Sequence, residues 1–572
     1  MEDLVDRLPS AQADVSNAGL SSAIILRGFQ ISQFFANSLP DVQRMFVRDL
    51  STVDSVHVID GAQGVAFGLA SPSGAVDYQL ERARMQPHAV LQSAVGEHSF
   101  VRSVIDLGGS RHADSGDWAG RAVLATQGGR SEPGSLPQGR DNLLLTGSWW
   151  PSAQQEWSLD LEQQHDRSPF SFGTVIDNGL DSSPGVHSAH VRYDQVYIVP
   201  GGAPAERRMD RAALHWRREL EAGWVAQAAV QTVRTLRDET LLGFWTLLSP
   251  SQLSGYYTKY ADHYRQDNLR LQIGGVAHGR LVDHHLNAGL DLNHDAWLFT
   301  GVQNIGGFRI GVDRPDFSEV NPADLAVSPR YNAETQRDSG IWIDDEMQVS
   351  PSWFIDAGAR RARYEIAADR SGAGLLEVAH SAATVHQAGL RWQAPAGDAA
   401  WRLAWNEGLQ PNRGETHEGS FLPPQRTAGI ETGATLIFSP AAKATINAWR
   451  TDLQDLAMRD PHDRNAYIST GSRRVLGIEA SGSWRRGRWT VHGQASALAM
   501  RQLVPTTSNL GDQFVGVARR LAGLRAEWKD DEAQRWWLSL SGVGPRFADA
   551  ANRFLLPGYV KADAGIERRL SP

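Results

Sequence analysis

From about residue 88 to the end of the chain, apolar and polar side chains alternate with period two, segment after segment. That is the pattern of strands that each carry one apolar and one polar face. In "EWSLDLEQQ", Trp157, Leu159 and Leu161 share one face, and Ser158, Asp160 and Glu162 share the other. "GWVAQAAVQ" sets Trp224, Ala226, Ala228 and Val230 against Val225, Gln227, Ala229 and Gln231. "HHLNAGLDL" sets Leu286, Ala288, Leu290 and Leu292 against Asn287, Gly289 and Asp291, and "AWRLAWNEG" sets Trp401, Leu403 and Trp405 against Arg402 and Asn406. "QRWWLSLSG" and "GYVKADAGIERRL" carry the pattern to the end. Short connections hold turn residues, as in "PSAQQ", "APAGD", "SPAAK" and "RRG". Three other connections, residues 234–266, 293–337 and 451–472, are expected to be long loops, which in compact folds usually carry function.

A soluble sandwich would bury the apolar face of each strand in an aliphatic core. Here the polar face is crowded with Asp, Glu, Arg, Asn and Gln, and Trp repeatedly caps the apolar face near strand ends. A wall with lipid outside and water or a polar plug inside has this pattern. The expected fold class is therefore all-β membrane: a large transmembrane β-barrel. No run of about 18 apolar residues occurs, which removes a membrane-spanning helix.

The first 85 residues lack the long alternation and are expected to form a separate small domain, with its boundary near residues 81–88. Their most unusual stretch is "VHVIDGAQGVAFGLASPSGAVDY", residues 56–78, where Gly61, Gly64, Gly68 and Gly74 raise the entropic cost of folding. Neither G-x-x-x-x-G-K-S/T nor G-x-G-x-x-G is present, so phosphate cradling lacks its pattern. A flexible linker would not interleave Val56, Val58, Ile59, Val65, Phe67, Leu69 and Val76. The remaining reading is a tightly packed object.

Totals sharpen this picture in three places. Among 572 residues there is no Cys, which excludes disulfides and thiolate metal sites. The 19 Trp suit rings held where apolar and wet surroundings meet. A net charge of -9 with no basic blocks argues against nucleic acid.

The stretch at residues 56–78 resembles the plug of TonB-dependent outer-membrane receptors, particularly the ferric-siderophore group. "VHVIDGA", "VAFG" and "SPSGAVD" look like that family's I-E-V-L-R-G-P, L-Y-G and S-P-G-G-x-V-N segments, and "ILRGF" looks like its I-R-G-F strand. Along the barrel, "VRSVIDLGG", "IWIDDEMQVSPSWFIDAGARRARY", "NEGLQP", "GIETGATLIF", "VLGIEASGSW" and "FLLPGYVKADAGIERRL" follow the family's order over nearly the whole chain. The resemblance implies a barrel of about 22 strands, about 20 of them here, closed by an N-terminal plug. It places the plug at residues 1–85, with its N-terminal part missing, and the barrel at residues 86–572, with its last strands missing. It also implies that the signal peptide and energy-coupling box lie outside this sequence.

What the resemblance implies about function is a receptor for ferric siderophores, carried as ligand with no covalently bound cofactor and no enzyme activity. The partners implied are the TonB–ExbB–ExbD complex and outer-membrane lipid and lipopolysaccharide, around a monomer in the bacterial outer membrane. By motif, Arg27 faces Glu431 and Glu479. Asp60 stands where the family has a second arginine, giving a buried cluster with surplus negative charge. The plug motif comprises Gly28, Gly61, Gly64, Gly68 and Gly74, with Asp77 and Ser73 replacing an asparagine and a glycine. Candidate ligand contacts are Phe29, Gln30, Gln33, Phe34 and Phe35 at the plug apex. Packing of plug against wall is an equal reading of those five. Outer segments "HDRSPFSFG" and "GFWTLLSPSQLSGYYTKY" suit a vestibule. His284, His285 and His294, beside Asp283 and Asp295, lack metal-ligand spacing and read as solvated strand-end residues. Other solutes (cobalamin, heme, a glycan), a signalling or non-transporting paralogue, and a passive porin stand as alternatives.

Overall fold

The computed structural model describes residues 8–13, 24–41, 47–61, 64–68, 72–130, 137–168, 176–177, 187–188, 190–191, 205–249, 251–306, 308–311, 320–370, 372–374, 376–412, 415–418, 420–459, 466–504, 511–530 and 534–569. Among them, twenty strands follow one another around a closed barrel, from His88–Val95 to Tyr559–Arg568. Each long strand pairs antiparallel with the next in sequence. Arg309–Gly311 is a three-residue strand set against the outer end of Gln252–His278.

The faces of these strands are inverted relative to a soluble protein. Leu159 and Leu161 are 44% and 42% exposed, whereas Asp160 and Glu162 between and beside them are each 3% exposed. Ile341 and Ile343 on Val327–Gln348, and Leu476 and Ile478 on Tyr467–Arg486, likewise point outward. An aliphatic exterior around a charged interior is stable only with hydrocarbon outside. Trp pairs mark one edge of that layer: Trp118 stacks on Trp149 at 5.2 Å, and Trp157 lies 6.2 Å from Trp216. Trp353, Trp392 and Trp401 sit opposite one another on adjacent strands, as do Trp489, Trp528 and Trp536. All lie within a few residues of short turns, where an indole bridges apolar and wet surroundings.

The long connections are shorter than the sequence pattern predicts. Residues 234–266 are mostly a hairpin, Val225–Ser249 with Gln252–His278, paired from Val225 and Gly274 out to Ser249 and Gln252. Residues 293–337 are largely the ends of Asp283–Asn304 and Val327–Gln348, and residues 451–472 those of Ala442–Arg459 and Tyr467–Arg486. Once a hairpin leaves the lipid, ladder bonds still satisfy its backbone more completely than a loop would. Alternation therefore gives way to mixed composition while the strand continues. Most of "HDRSPFSFG" and the side chains of 242–247 lie outside the described residues.

Inside the barrel sit two small sheets from the N-terminal region. One joins Ala11–Ala13, Ile24–Leu26 and Phe29–Gln30. The other orders Leu39–Pro40, Phe34–Ala36, Gly74–Leu80 and Val53–Asp60. They meet the inner wall in apolar clusters: Val76, Tyr78 and Leu80 with Val104, Val123 and Leu144, and Ile25 and Phe29 with Trp449, Val475 and Met500. Val65 on the short helix Gly64–Phe67 packs with Trp342, Ile366 and Val385. Two glycines are required by this fit. A Cβ on Gly64 would lie 2.5 Å from the carbonyl oxygen of Glu407 on the wall. Gly74 has φ +109, and a side chain there would overlap the Ile59 carbonyl.

Replacing outward-facing Ile478 by Arg should destabilise the barrel by about 2–4 kcal/mol, the cost of a cation near the bilayer midplane. Urea unfolding in lipid, followed by loss of heat-modifiable gel mobility, measures it.

Candidate functional site

The turn between Ile24–Leu26 and Phe29–Gln30 consists of Arg27 at φ 52 and Gly28 at φ 88, and it aims the arginine at the wall. Its Nη1 donates to Glu431 at 2.6 Å and its Nη2 to Glu479 at 2.6 Å, while Asp60 lies 3.4 Å away. The guanidinium lies 4.4 Å from the centre of the Trp449 ring. The wall strands fix this geometry. Glu431 pairs with Trp449, and Glu479 pairs with Asn447 two residues away, so both carboxylates flank one inward-facing stripe. Gly477, opposite Trp449, leaves room for the indole, since a Cβ would overlap the ring. Glu479 also accepts from Ser10 Oγ and from Asn447 at 3.1 Å, and Glu431 from Arg402.

Three carboxyl groups therefore share two arginines. Arg402, which the sequence reading did not assign, supplies the second cation opposite Glu431. The third acid, Asp60, is the one left to adjust. Burial pushes its carboxyl up to about 6; Arg27 opposes this, and Glu479 and Glu431 add to it. Its neighbour Gly61 turns at φ 75 beside Asn406.

A second anchor was not legible in the sequence. Arg48 is fully buried and donates to Asp41 at 2.8 Å and to Glu162 on the wall. Around it, Gln164 donates to the Val47 carbonyl at 2.9 Å and accepts from Asp49 N–H at 3.0 Å. Arg102 binds both oxygens of Asp49 at 2.9 and 2.6 Å. Burial works against the Asp49 carboxylate, but Arg102 and the Ser51 N–H together hold it below the usual range. The adjacent charges "RD" at positions 48 and 49 were the available signal. Elsewhere, Gln12 donates to the Gly516 carbonyl at 2.5 Å and accepts from Ala518 N–H at 2.9 Å.

The remaining predicted residues divide. Gly68, at φ 81, lies against the Arg360 guanidinium, and Gly28 against Val475. Asp77 accepts from Ser38 N–H at 3.0 Å, Ser38 Oγ at 2.9 Å and Gln79 at 2.8 Å, a job an asparagine could only half perform. Phe29, Phe34 and Phe35 are buried: Phe29 against Phe514 at 5.8 Å, Phe34 stacked on Tyr78, and Phe35 edge-on to Phe67 at 4.8 Å. Their rings fill the plug–wall and intra-plug clusters, as the packing reading has it. Of the five candidate contacts only Gln30 is exposed, with Gln33 partly so. His284 pairs with Asp345 at 2.7 Å, and His294 lies 3.9 Å from Asp267.

A lipid-facing barrel, filled by small sheets that ion pairs tie to its inner wall, defines a plugged membrane receptor rather than an open pore. The family model described as TonB dependent receptor-like, beta-barrel matches residues 113–571, and the chain belongs to that family. The family is one of transport receptors. The ferrioxamine receptor of Yersinia enterocolitica is 19% identical over 544 residues, covering 91% of this chain and 72% of that protein. The ferric-pyoverdine M114 receptor PbuA of Pseudomonas sp. (strain M114) is 31% identical over 109 residues, 18% of this chain and 13% of that protein. In fold, the chain is similar to the ferric-catecholate import receptor Fiu from E. coli K12 in its closed form. That match has a TM-score of 0.86 at 15% identity and covers 100% of this chain and 88% of that one. The siderophore receptor PiuA from Acinetobacter baumannii gives 0.87 at 15% identity with the same coverage.

Two outcomes follow from the Arg27 cluster. Replacing Arg27 by Ala leaves Glu479 buried beside Glu431 without its main cation and should cost about 3–5 kcal/mol of plug seating. Hydrogen exchange of the 24–30 hairpin would report that loss. The raised Asp60 carboxyl means that the seated plug holds the proton more tightly than the unfolded chain does. Its contribution is fully present below the ordinary carboxylate range and is lost as pH rises through about 6. Protease resistance of the plug should therefore fall between acidic and neutral pH, and Asp60→Asn should flatten that step. An unchanged step in the variant would show that another group titrates.

Proposed function

We propose that this chain is a receptor of the bacterial outer membrane that takes up a ferric siderophore, with residues 1–85 acting as the plug and residues 86–572 as the barrel. The observation that carries the reading is the Arg27–Glu431–Glu479 tether. It ties the plug to the wall by directional bonds alongside the apolar clusters, so a pull on the plug has a discrete contact to break. In support, the relatives it matches in sequence bear the names of ferrioxamine and ferric-pyoverdine receptors.

The proposed cycle has two stages. A ferric chelate binds in the vestibule above the plug on the long-loop side. Force from the TonB–ExbB–ExbD complex, drawing on proton-motive force, then separates Arg27 from its two wall carboxylates, and the plug rearranges. Glu431 and Glu479 are left buried without their shared cation in the released state, which is why the plug reseats once the pull ends. Arg402 limits that penalty at Glu431. Asp60 weakens the seated state at neutral pH, so the force required here is smaller than with a cation at that position.

Uptake of radiolabelled iron in a strain carrying only this receptor tests the reading. Accumulation with a hydroxamate, catecholate or carboxylate siderophore, abolished by a proton uncoupler, is the expected result. Absence of both binding and uptake across all three types would overturn it, and binding without uptake would favour a signalling receptor.

A further inference from the structure

The plug does not fill every sector of the lumen. Beside the four strands Gln155–Ser168, Ala205–Glu219, Val225–Ser249 and Gln252–His278, a cavity of about 430 Å³ lies between plug and wall. At one level the two touch: Asp160 accepts from Asn37 at 3.0 Å, and Gln231 donates to the Pro40 carbonyl at 2.6 Å. The next inward-facing row, two residues nearer the short turns, sets Ser158, His215, Ala229 and Arg270 opposite one another. Ser158 and Ala229 are too short to follow the plug, and the gap opens there. A further row, Glu156, Arg217, Gln227 and Gln272, carries it toward the rim, where Arg217 is 44% exposed. Trp157 and Trp216 on the outer face put the cavity level with the short-turn edge of the apolar layer.

The charge of this cavity is one-sided. Arg82 from the N-terminal region and Arg217, Arg270 and His215 from the wall line it, against a single acid, Glu156, among the described residues. Arg82 is exposed and forms no ion pair among the described residues. The acids that answer the other three stand outside the cavity. Glu219 lies 3.0 Å from Arg217, Asp160 lies 3.5 Å from His215, and Asp291 lies 3.6 Å from Arg270 but is shared with Arg360 at 2.5 Å. Arg270 also donates to the Ala66 carbonyl of the plug at 3.2 Å, a neutral acceptor for a full charge. Water fills a polar cavity without any need to gather guanidinium groups, which repel one another. Charge of one sign in a cleft with low-dielectric walls instead concentrates the opposite ion.

We propose that this cavity is the exit side of the transport route and that it selects a ferric chelate of net negative charge, a catecholate or α-hydroxycarboxylate complex. The inference rests on the transport reading above and adds the substrate class. Oxygens on the chelate accept from Arg270, then from Arg82 and Arg217, as it moves toward the short-turn rim. A charge-assisted bond from Arg270 to an anion is stronger than its bond to the Ala66 carbonyl, so an arriving anion takes that donor from the plug and widens the gap. Glu156 at the mouth repels the chelate and keeps it from lodging there.

The test is the initial rate of radiolabelled iron uptake, at saturating chelate, by a strain carrying only this receptor. Two anionic chelates, a ferric catecholate and a ferric α-hydroxycarboxylate, are compared with a neutral ferric hydroxamate, whose ligand charges just balance the iron. The wild type should favour an anionic chelate. Arg82→Gln with Arg217→Gln leaves the Arg27 and Arg48 anchors in place and should lower the anionic-to-neutral rate ratio by about tenfold, the low end of what one-sided charge in a cleft supplies. Glu156→Gln should raise that ratio, an opposite sign that a packing role would not produce. Arg218→Gln, on the outward face of the same strand as Arg217, should leave it unchanged. Heat-modifiable gel mobility confirms that each variant is a folded barrel. Uptake of the hydroxamate alone by the wild type, or equal ratios in the wild type, the double variant and Glu156→Gln, overturns this inference and leaves the transport reading standing. Uptake of none of the three by the wild type overturns both.

Discussion

Hydrocarbon offers no hydrogen-bond partners, and this constraint organises the molecule. Every backbone N–H and C=O crossing the lipid must be paired within the sheet, so the strands close on themselves, and each turns its aliphatic face outward. The polar face is then driven into the lumen, where side chains such as Asp160, Glu162, Gln164 and Glu479 are almost completely buried. A charged wall of this kind cannot be filled by an ordinary apolar core. Whatever occupies the lumen must bring its own charges in matching positions, and the N-terminal sheets do so with Arg27 and Arg48.

The two arginine anchors differ in a way that bears on motion. Arg48 is enclosed by Asp41 from its own domain and Glu162 from the wall, with Tyr78, Gln164 and Arg102 completing the network. Removing any member leaves several groups without partners. Arg27 stands on a buried turn and reaches two wall carboxylates directly, with one further acid beside it. The first resembles a permanent joint and the second a catch. Asp60 weakens the catch, since its burial beside Glu431 and Glu479 favours the proton over the charge.

Much of this was legible in the chain. Period-two alternation with Trp at strand ends gave the barrel, and the resemblance of "GIETGATLIF" and "VLGIEASGSW" to the family's strands pointed to Glu431 and Glu479 as partners of Arg27. Arg27 followed from "ILRGF". The aromatic run after it was read equally as ligand contact and as plug–wall packing, and the rings of Phe29, Phe34 and Phe35 are buried. The outer hairpins were read as loops because their alternation fades beyond the lipid, although their ladders continue. Arg48 gave little local signal, since its main partner on the wall, Glu162, is 114 residues away.

The sequence by itself determined which residues meet lipid, because side-chain direction in a strand is a local property that repeats every second residue. It also supplied the charges needed inside. Only the tertiary structure decided which charge meets which where no motif reached. Arg48 and Glu162 are 114 residues apart, and their meeting depends on the stagger between strands and on the depth at which the plug sits. The same stagger aligns Ser158, His215, Ala229 and Arg270 across the inner wall. No single segment encodes that alignment, because it is a property of the closed sheet.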